Sequence, residues 1–376
     1  MGHESKPSDV GSAHLPPPAS RTIMIMAGGT GGHIFPALAV ADHLRGKGVN
    51  VVWLGNRAGM EAQIVAPQGY TMAWIRFSGV RGKGWSRAVT LPLELLLAFG
   101  QSAQAIFSHR PDAVLGMGGY VSFPGGMMAS FLNRPLAIHE QNSVPGLANR
   151  VLARLADRVM TGFPDAFGTA AAVIWTGNPV RSDIAALPAP DERFAGRAGG
   201  LRLLVVGGSQ GAQVLNAVVP EALALLPAEQ RPAVTHQAGA AHQAAVTERY
   251  RTSGVAAEVV EFIDDMARRY ADADLIICRA GASTIAELAA AGVAAVLVPY
   301  PHAVDDHQST NAKFLAGRGA ALMIAQPEFT ARRLADVLAG YTRERLLTMA
   351  RAARAAAKPD ATSAVAEVCM ALAVHQ

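Results

Sequence analysis

The sequence predicts an α/β protein made of two doubly wound parallel-sheet domains that face each other across a cleft. Three observations lead there. A strand, a glycine-rich loop and a helix occur in that order twice, at Gly28 to Gly32 and again at Gly207 to Gly211. Each copy continues as alternating apolar runs and helical stretches. A Pro- and Gly-bearing stretch over 177–200 separates the halves.

Residues 1–20 are polar and contain Pro16, Pro17 and Pro18 in a row. They read as a disordered tail without the apolar run of a secretion signal. Thr22, Ile23, Met24, Ile25, Met26 and Ala27 then give the near-continuous apolar run of a strand buried on both faces. The chain enters Gly28-Gly29-Thr30-Gly31-Gly32-His33. Ile34, Leu38, Ala41 and Leu44 follow at helical spacing, with Pro36 expected in the first turn, where proline is tolerated. Residues 49–54, 113–117, 135–138 and 158–161 read as the remaining strands of a first domain, 21–178. A second domain, 179–357, opens on the run 201–206, which enters Gly207-Gly208-Ser209-Gln210-Gly211. Val214, Leu215, Val218, Val219 and Leu223 mark its helix. Strands are expected at 233–236, 258–263, 275–278, 294–298 and 320–324. Paired sheets of this kind set a ligand crevice at their carboxyl ends. Residues 358–376 hold a last helix.

Bulk properties exclude several classes. A chain of 376 residues suits two cores, and 51% hydrophobic with 16% charged residues excludes general disorder. Cys278 and Cys369 alone make neither a disulfide framework nor a metal spacing, and fit a reducing cytoplasm. A net charge of +4 is too weak to indicate nucleic acid. No run reaches the roughly 18–20 apolar residues of a membrane span, so a soluble or membrane-surface protein is expected. Residues 62–93 lack Asp and Glu. They carry Arg76, Arg81, Lys83 and Arg87 interleaved with Trp74, Phe77 and Trp85. Leu91, Leu93, Leu95, Leu96, Leu97 and Phe99 follow, interrupted by Glu94. Cations and aromatics beside an apolar stretch suit an anionic lipid surface; a basic loop before a buried helix would look alike.

Glycine loops between strand and helix bring backbone N–H groups up to phosphate. The spacing is not Gly-x-Gly-x-x-Gly. The strand over 49–54 ends in Gly55-Asn56-Arg57 with no ribose-binding acid, which disfavours NAD, while Arg57 leaves NADP open. In Cys278-Arg279-Ala280-Gly281-Ala282-Ser283-Thr284-Ile285-Ala286-Glu287, Glu287 is expected in a first helical turn, able to accept both hydroxyls of a ribose. Thr284 and Glu287 equally have capping-box spacing. His33 opens a helix, where the positive end of the dipole favours the neutral imidazole of a base; a turn histidine is the alternative. His139-Glu140-Gln141-Asn142 is expected directly after the strand over 135–138, where a ligand crevice would lie. The loop over 301–311 offers His302, Asp305, Asp306, His307 and Gln308 without metal-ligand spacing. Asp264, Asp265, Asp272 and Asp274 read as surface acids at helix ends.

Several ordered segments carry a specific resemblance. They are Ala27 to His33, Gly79-Val80-Arg81-Gly82-Lys83-Gly84, Gly116-Met117-Gly118-Gly119-Tyr120-Val121, His139 to Asn142, Gly177-Asn178-Pro179-Val180-Arg181, Gly207 to Gly211 and Glu261-Phe262-Ile263-Asp264-Asp265-Met266. With Glu287 and Gln308, they make the chain closely resemble the family-28 glycosyltransferases that add N-acetylglucosamine (GlcNAc) to undecaprenyl-pyrophosphoryl-N-acetylmuramyl (MurNAc) pentapeptide in peptidoglycan synthesis. The resemblance implies a GT-B fold, two Rossmann-like domains with the last helix returning to the first. It implies UDP-GlcNAc and lipid I as ligands, with no cofactor, metal or nucleic acid. Ser209 would meet phosphate and Ile263 uracil. Ala282, Ser283, Thr284, Ile285, Ala286 and Glu287 would hold phosphate and ribose. Thr30, Gly31, Gly32, Asn142, Arg181 and Gln308 would complete the site. His33 is the expected base for an inverting transfer, with Glu140 and His139 as rivals. The implied setting is peripheral, at the cytoplasmic face of the bacterial inner membrane, with an anionic lipid surface and cell-wall synthesis proteins as partners. A UDP-GlcNAc epimerase and a non-catalytic nucleotide-binding protein are the competing readings.

Overall fold

The computed structural model describes residues 21–77, 86–168, 172–208 and 211–374. The tail 1–20, Arg81, Lys83, Trp85, the side chain of Arg87, and Ser209 lie outside the described part.

The first sheet holds β1 (Thr22–Met26), β2 (Asn50–Gly55), β3 (Thr71–Trp74), β4 (Ala113–Gly116), β5 (Leu136–Glu140), β6 (Arg158–Thr161) and β7 (Val173–Trp175). The second holds β8 (Arg202–Val206), β9 (Ala233–Gln237), β10 (Glu258–Val260), β11 (Leu275–Cys278), β12 (Ala294–Leu297) and β13 (Ala321–Met323). Their orders are β3-β2-β1-β4-β5-β6-β7 and β10-β9-β8-β11-β12-β13, and neighbouring strands are parallel. Both orders reverse beside the first strand, between β1 and β4 and between β8 and β11. Such switch points open a crevice at the strand ends.

Six helices bear on the site: α1 (Gly31–Gly46), α2 (Ser86–His109), α3 (Ser122–Phe131), α4 (Ala282–Ala291), α5 (His307–Ala316) and α6 (Ala361–Leu372). Alternate residues of β1 feed opposite cores, which is why the strand reads as an unbroken apolar run. Ile23 and Ile25 pack with Ile34, Leu38, Ala41 and Leu44 of α1 and with Val365, Ala366, Cys369 and Leu372 of α6. Met24 and Met26 face Ala98 and Ile106 of α2. In the second sheet, Leu203 and Val205 join one core and Leu204 the other.

Four local expectations need correction. Pro36 is the sixth residue of α1, not part of a first turn, because the helix begins at Gly31. Its missing N–H is the one that would have bonded the Gly32 carbonyl. His139 and Glu140 end β5 and do not follow it. Glu287 lies in the second turn of α4. Asp274 is no surface acid: it is fully buried, bonded by Arg197 and by the Arg202 N–H at 3.0 Å, with Arg343 at 3.4 Å.

Candidate active site

The first switch point is built around the loop after β1. Trp53, fully buried, donates its indole N–H to the Ala27 carbonyl at 3.0 Å and anchors the loop's start. A side chain on Gly119 would meet the Gly28 carbonyl at 2.0 Å, and its φ of +82° is left-handed, so glycine is required there. Glu61, fully buried, lies beneath the loop. It accepts the Asn56 N–H at 2.8 Å and the Tyr120 hydroxyl at 3.2 Å, with the Gly29 N–H at 3.4 Å. Burial, with the Glu61 charge beside it, pushes the Tyr120 phenol up to about 12, so it stays protonated and donates. Sequence reasoning missed Glu61: it stands alone in its segment and nothing local marks it.

His33, half-buried in the first turn of α1, has Nδ1 3.0 Å from Gln141 Oε1. No side chain caps α1, and its first turn holds no acid. Its leading N–H groups therefore remain a positive terminus at the cleft. Thr30, the N-cap residue, and Gly32 are exposed there, and Gly31 is half-buried.

The segment from His139 to Asn142 divides in two. His139 is fully buried, its Nε2 2.9 Å from the Gly177 carbonyl, and burial pushes its imidazole down to about 4. Glu140 is buried with both oxygens committed. One takes the Asn142 N–H at 2.9 Å and side-chain amide at 3.2 Å; the other takes Gly146 N–H at 3.1 Å and Asn149 at 2.8 Å. These bonds tie the loop to its own strand.

On the second domain, Gly281 is the N-cap residue of α4 and no side chain caps the helix. That removes the capping-box reading of Thr284 and Glu287. Glu287 accepts the Tyr270 hydroxyl at 2.9 Å and lies 3.7 Å from Arg181. Burial raises its carboxyl pKa, against the pull of Arg181. Ser283, Thr284 and Ala286 are half-buried, while Ala282 and Ile285 pack into the core with Ile263, which is 5% exposed. Gln308 Oε1 accepts the N–H groups of Ala280 at 3.2 Å and Tyr300 at 2.9 Å, fixing the loops on either side.

The two halves meet at this point. Ser283 donates its hydroxyl to the Gly32 carbonyl at 3.2 Å, the acceptor that Pro36 leaves without a helical donor. Asn311 Oδ1 accepts the Ser143 N–H at 2.9 Å and its hydroxyl at 2.7 Å, while its amide nitrogen reaches Ala280 O at 3.2 Å. The expected loop over 301–311 ends early: a short turn over Val304–Asp306 leads into α5, which begins at His307, and Asp305 of that turn pairs with Arg150 at 2.8 Å. Among the described residues, no three His, Cys, Asp or Glu side chains converge as metal ligands. Two uncapped helix N-termini thus face one cleft, with a histidine on one side and, on the other, half-buried Arg181 and Glu287 set against buried Tyr270.

Two parallel-sheet α/β domains meeting at such a cleft define the GT-B class of nucleotide-sugar enzymes. Residues 23–161 match the Glycosyltransferase family 28 N-terminal domain, and 202–365 match the Glycosyltransferase family 28 C-terminal domain. The chain belongs to glycosyltransferase family 28. It is 59% identical to a UDP-N-acetylglucosamine–N-acetylmuramyl-(pentapeptide) pyrophosphoryl-undecaprenol N-acetylglucosamine transferase of Nitrosospira multiformis, over 93% of this chain and 98% of that one. It is 60% identical to a protein of the same name from Cupriavidus metallidurans, over 94% and 99%. The crystal structure of Acinetobacter baumannii MurG superposes with a TM-score of 0.81 at 40% identity, covering 93% of this chain and 99% of that one. A Neisseria meningitidis UDP-GlcNAc 2-epimerase shares the fold at 12% identity and a TM-score of 0.64.

Proposed function

We propose that this protein transfers GlcNAc from UDP-GlcNAc to the 4-hydroxyl of MurNAc in lipid I, releasing UDP and forming lipid II for peptidoglycan synthesis. The observation that carries the proposal is identity near 60% over almost the whole of both chains to transferases of that name. The facing helix termini supply a chemistry that suits it. UDP would lie on the second domain, with its phosphates at the uncapped start of α4 and at Ser209, and its ribose hydroxyls at Glu287. Arg181, beside Glu287, would face the leaving diphosphate, so backbone dipoles and a guanidinium offset its charge. Lipid I would lie against α1 and the loop at Thr30, Gly31 and Gly32, with Asn142 and Gln308 lining the joint between halves.

His33 is the proposed base. The hydroxyl proton passes to its ring as the oxygen bonds the anomeric carbon, and the bond to UDP breaks with its electron pair leaving on phosphate. Glu140 and His139 suit the task less well: one has every oxygen hydrogen-bonded within its loop, the other is fully buried and low in basicity. His33→Ala should lower turnover about 100-fold while leaving UDP affinity nearly intact. Undiminished turnover would remove it from the mechanism.

The membrane side is proposed to lie along α2 and α3. Leu93, Leu96 and Leu97 are 62%, 67% and 55% exposed, and Phe131 is 78% exposed. This is more than a buried helix would show. Among the described residues, no helix is long and apolar enough to cross a membrane. The patch, beside the acid-free stretch over 62–93, supports peripheral attachment to anionic lipid at the cytoplasmic face. The transfer assay is radiolabelled GlcNAc moving from its UDP form to a lipid I analogue. Label recovered only in UDP-sugars would refute the proposal.

A further inference from the structure

His33 is one end of a chain of hydrogen bonds whose direction is fixed by carbonyl groups. The Gly177 carbonyl can only accept, so His139, which reaches it with Nε2 at 2.9 Å, carries its proton there. The ring is buried and neutral, which leaves Nδ1 as an acceptor. Gln141 Nε2 stands 3.2 Å from that Nδ1 and 2.9 Å from the Met117 carbonyl. Both are acceptors, so this end of the amide is the NH₂ group and the other is the oxygen. That oxygen, Oε1, lies 3.0 Å from His33 Nδ1. An amide oxygen accepts only, so His33 must donate from Nδ1.

We propose that Gln141 is a positioning residue that holds His33 in the Nδ1–H tautomer, leaving the Nε2 lone pair for the acceptor hydroxyl. The proposal deepens the reading of His33 as base and rests on it. Gly118 covers the bonded side: a side chain there would lie 2.6 Å from His33 Nδ1 and 3.3 Å from Gln141 Oε1. When Nε2 takes a proton, the same amide oxygen faces the new imidazolium, so the bond persists through the step. A free imidazole divides its proton between two nitrogens and turns about χ2; the relay removes both freedoms. It also begins at Gly177, in the segment joining the two sheets, where Lys358 packs closely enough to exclude any side chain.

The test uses ¹⁵N-histidine-labelled full-length protein, with the His33 signals assigned by their loss in His33→Ala. In the wild type, the His33 Nδ1 shift should be of the protonated type and Nε2 of the unprotonated type. Gln141→Leu should mix the two tautomers and lower kcat about 10- to 100-fold, with the UDP-GlcNAc KM within about twofold. Gln141→Glu keeps an acceptor toward Nδ1, but its second oxygen replaces the amide that donates to the Met117 carbonyl and to His139 Nδ1. In the folded variant the Nδ1–H tautomer should return and the acidic limb of the kcat–pH profile should move to higher pH, as a carboxylate favours imidazolium. If neither variant folds, the wild-type shifts decide: a protonated Nε2 with an unprotonated Nδ1 on His33 would overturn the proposal. A folded Gln141→Leu protein with wild-type His33 shifts and kcat would overturn the proposal. Full turnover in His33→Ala would instead overturn the base reading, and the tautomer result would show separately whether Gln141 sets the ring.

Discussion

Two buried histidines make the fold acid-sensitive, and the size of the effect can be worked out. His139 in the first domain and His236 in the second are both fully buried. His236 bonds Asn216 at 3.0 Å and Tyr250 at 2.8 Å. Burial lowers each from 6.5 to about 4. Each ring is harder to protonate in the fold than in the unfolded chain. The unfolded chain therefore binds more protons between those values, and stability falls as pH drops through that window. With these values each histidine costs about 2 kcal/mol at pH 5 relative to pH 8, about 4 kcal/mol for the pair. The cost falls on the two domains separately, about 2 kcal/mol on each, a sizeable share of a domain's stability. Urea unfolding of the wild type, His139→Gln and His236→Gln at both pH values isolates the effect. Each variant should lose about 2 kcal/mol of the pH difference, whatever its stability at pH 8. Glu287, whose raised pKa acts in the opposite sense, is common to all three proteins. Variants that retain the full wild-type pH difference would refute the reasoning.

Other perturbations follow from single contacts. Asp274→Ala leaves Arg197 and Arg343 without their buried partner and should cost about 3–5 kcal/mol, read from urea midpoints. Ser283→Ala removes the hydroxyl bonded to the Gly32 carbonyl. At about 1 kcal/mol it should shift the cleft roughly fivefold toward open forms, measured by energy transfer between dyes on the two domains. Leu96→Glu with Leu97→Glu should weaken sedimentation with anionic vesicles roughly tenfold or more, leaving turnover on a water-soluble acceptor unchanged.

The architecture was legible because each central strand is buried on both faces and reads as an apolar run, β1 and β11 above all. The edge strands β3 and β7 went unread. Both are short, and Thr71, Ile174 and Trp175 are exposed, so neither shows a core pattern. Motifs placed Gly28 to His33 and Glu287 at the cleft. Local spacing could not tell that Thr284 would leave α4 uncapped, or that Asp274 would be drawn inside by arginines 69 and 77 positions away. Glu61 and Tyr270 were hidden, and Gln141 showed only as part of a polar run without a role, for the same reason: their partners, Tyr120, Glu287 and His33, come from other elements and meet them only through the parallel topology.

The stereochemistry and linkage of the transferred sugar test the central claim most directly. UDP-GlcNAc carries an α bond, so single displacement on a lipid I analogue should give one product, a β-1,4-linked GlcNAc–MurNAc disaccharide, with stoichiometric UDP. An α-linked product, or conversion of UDP-GlcNAc to its 2-epimer with no lipid-linked disaccharide, would contradict it.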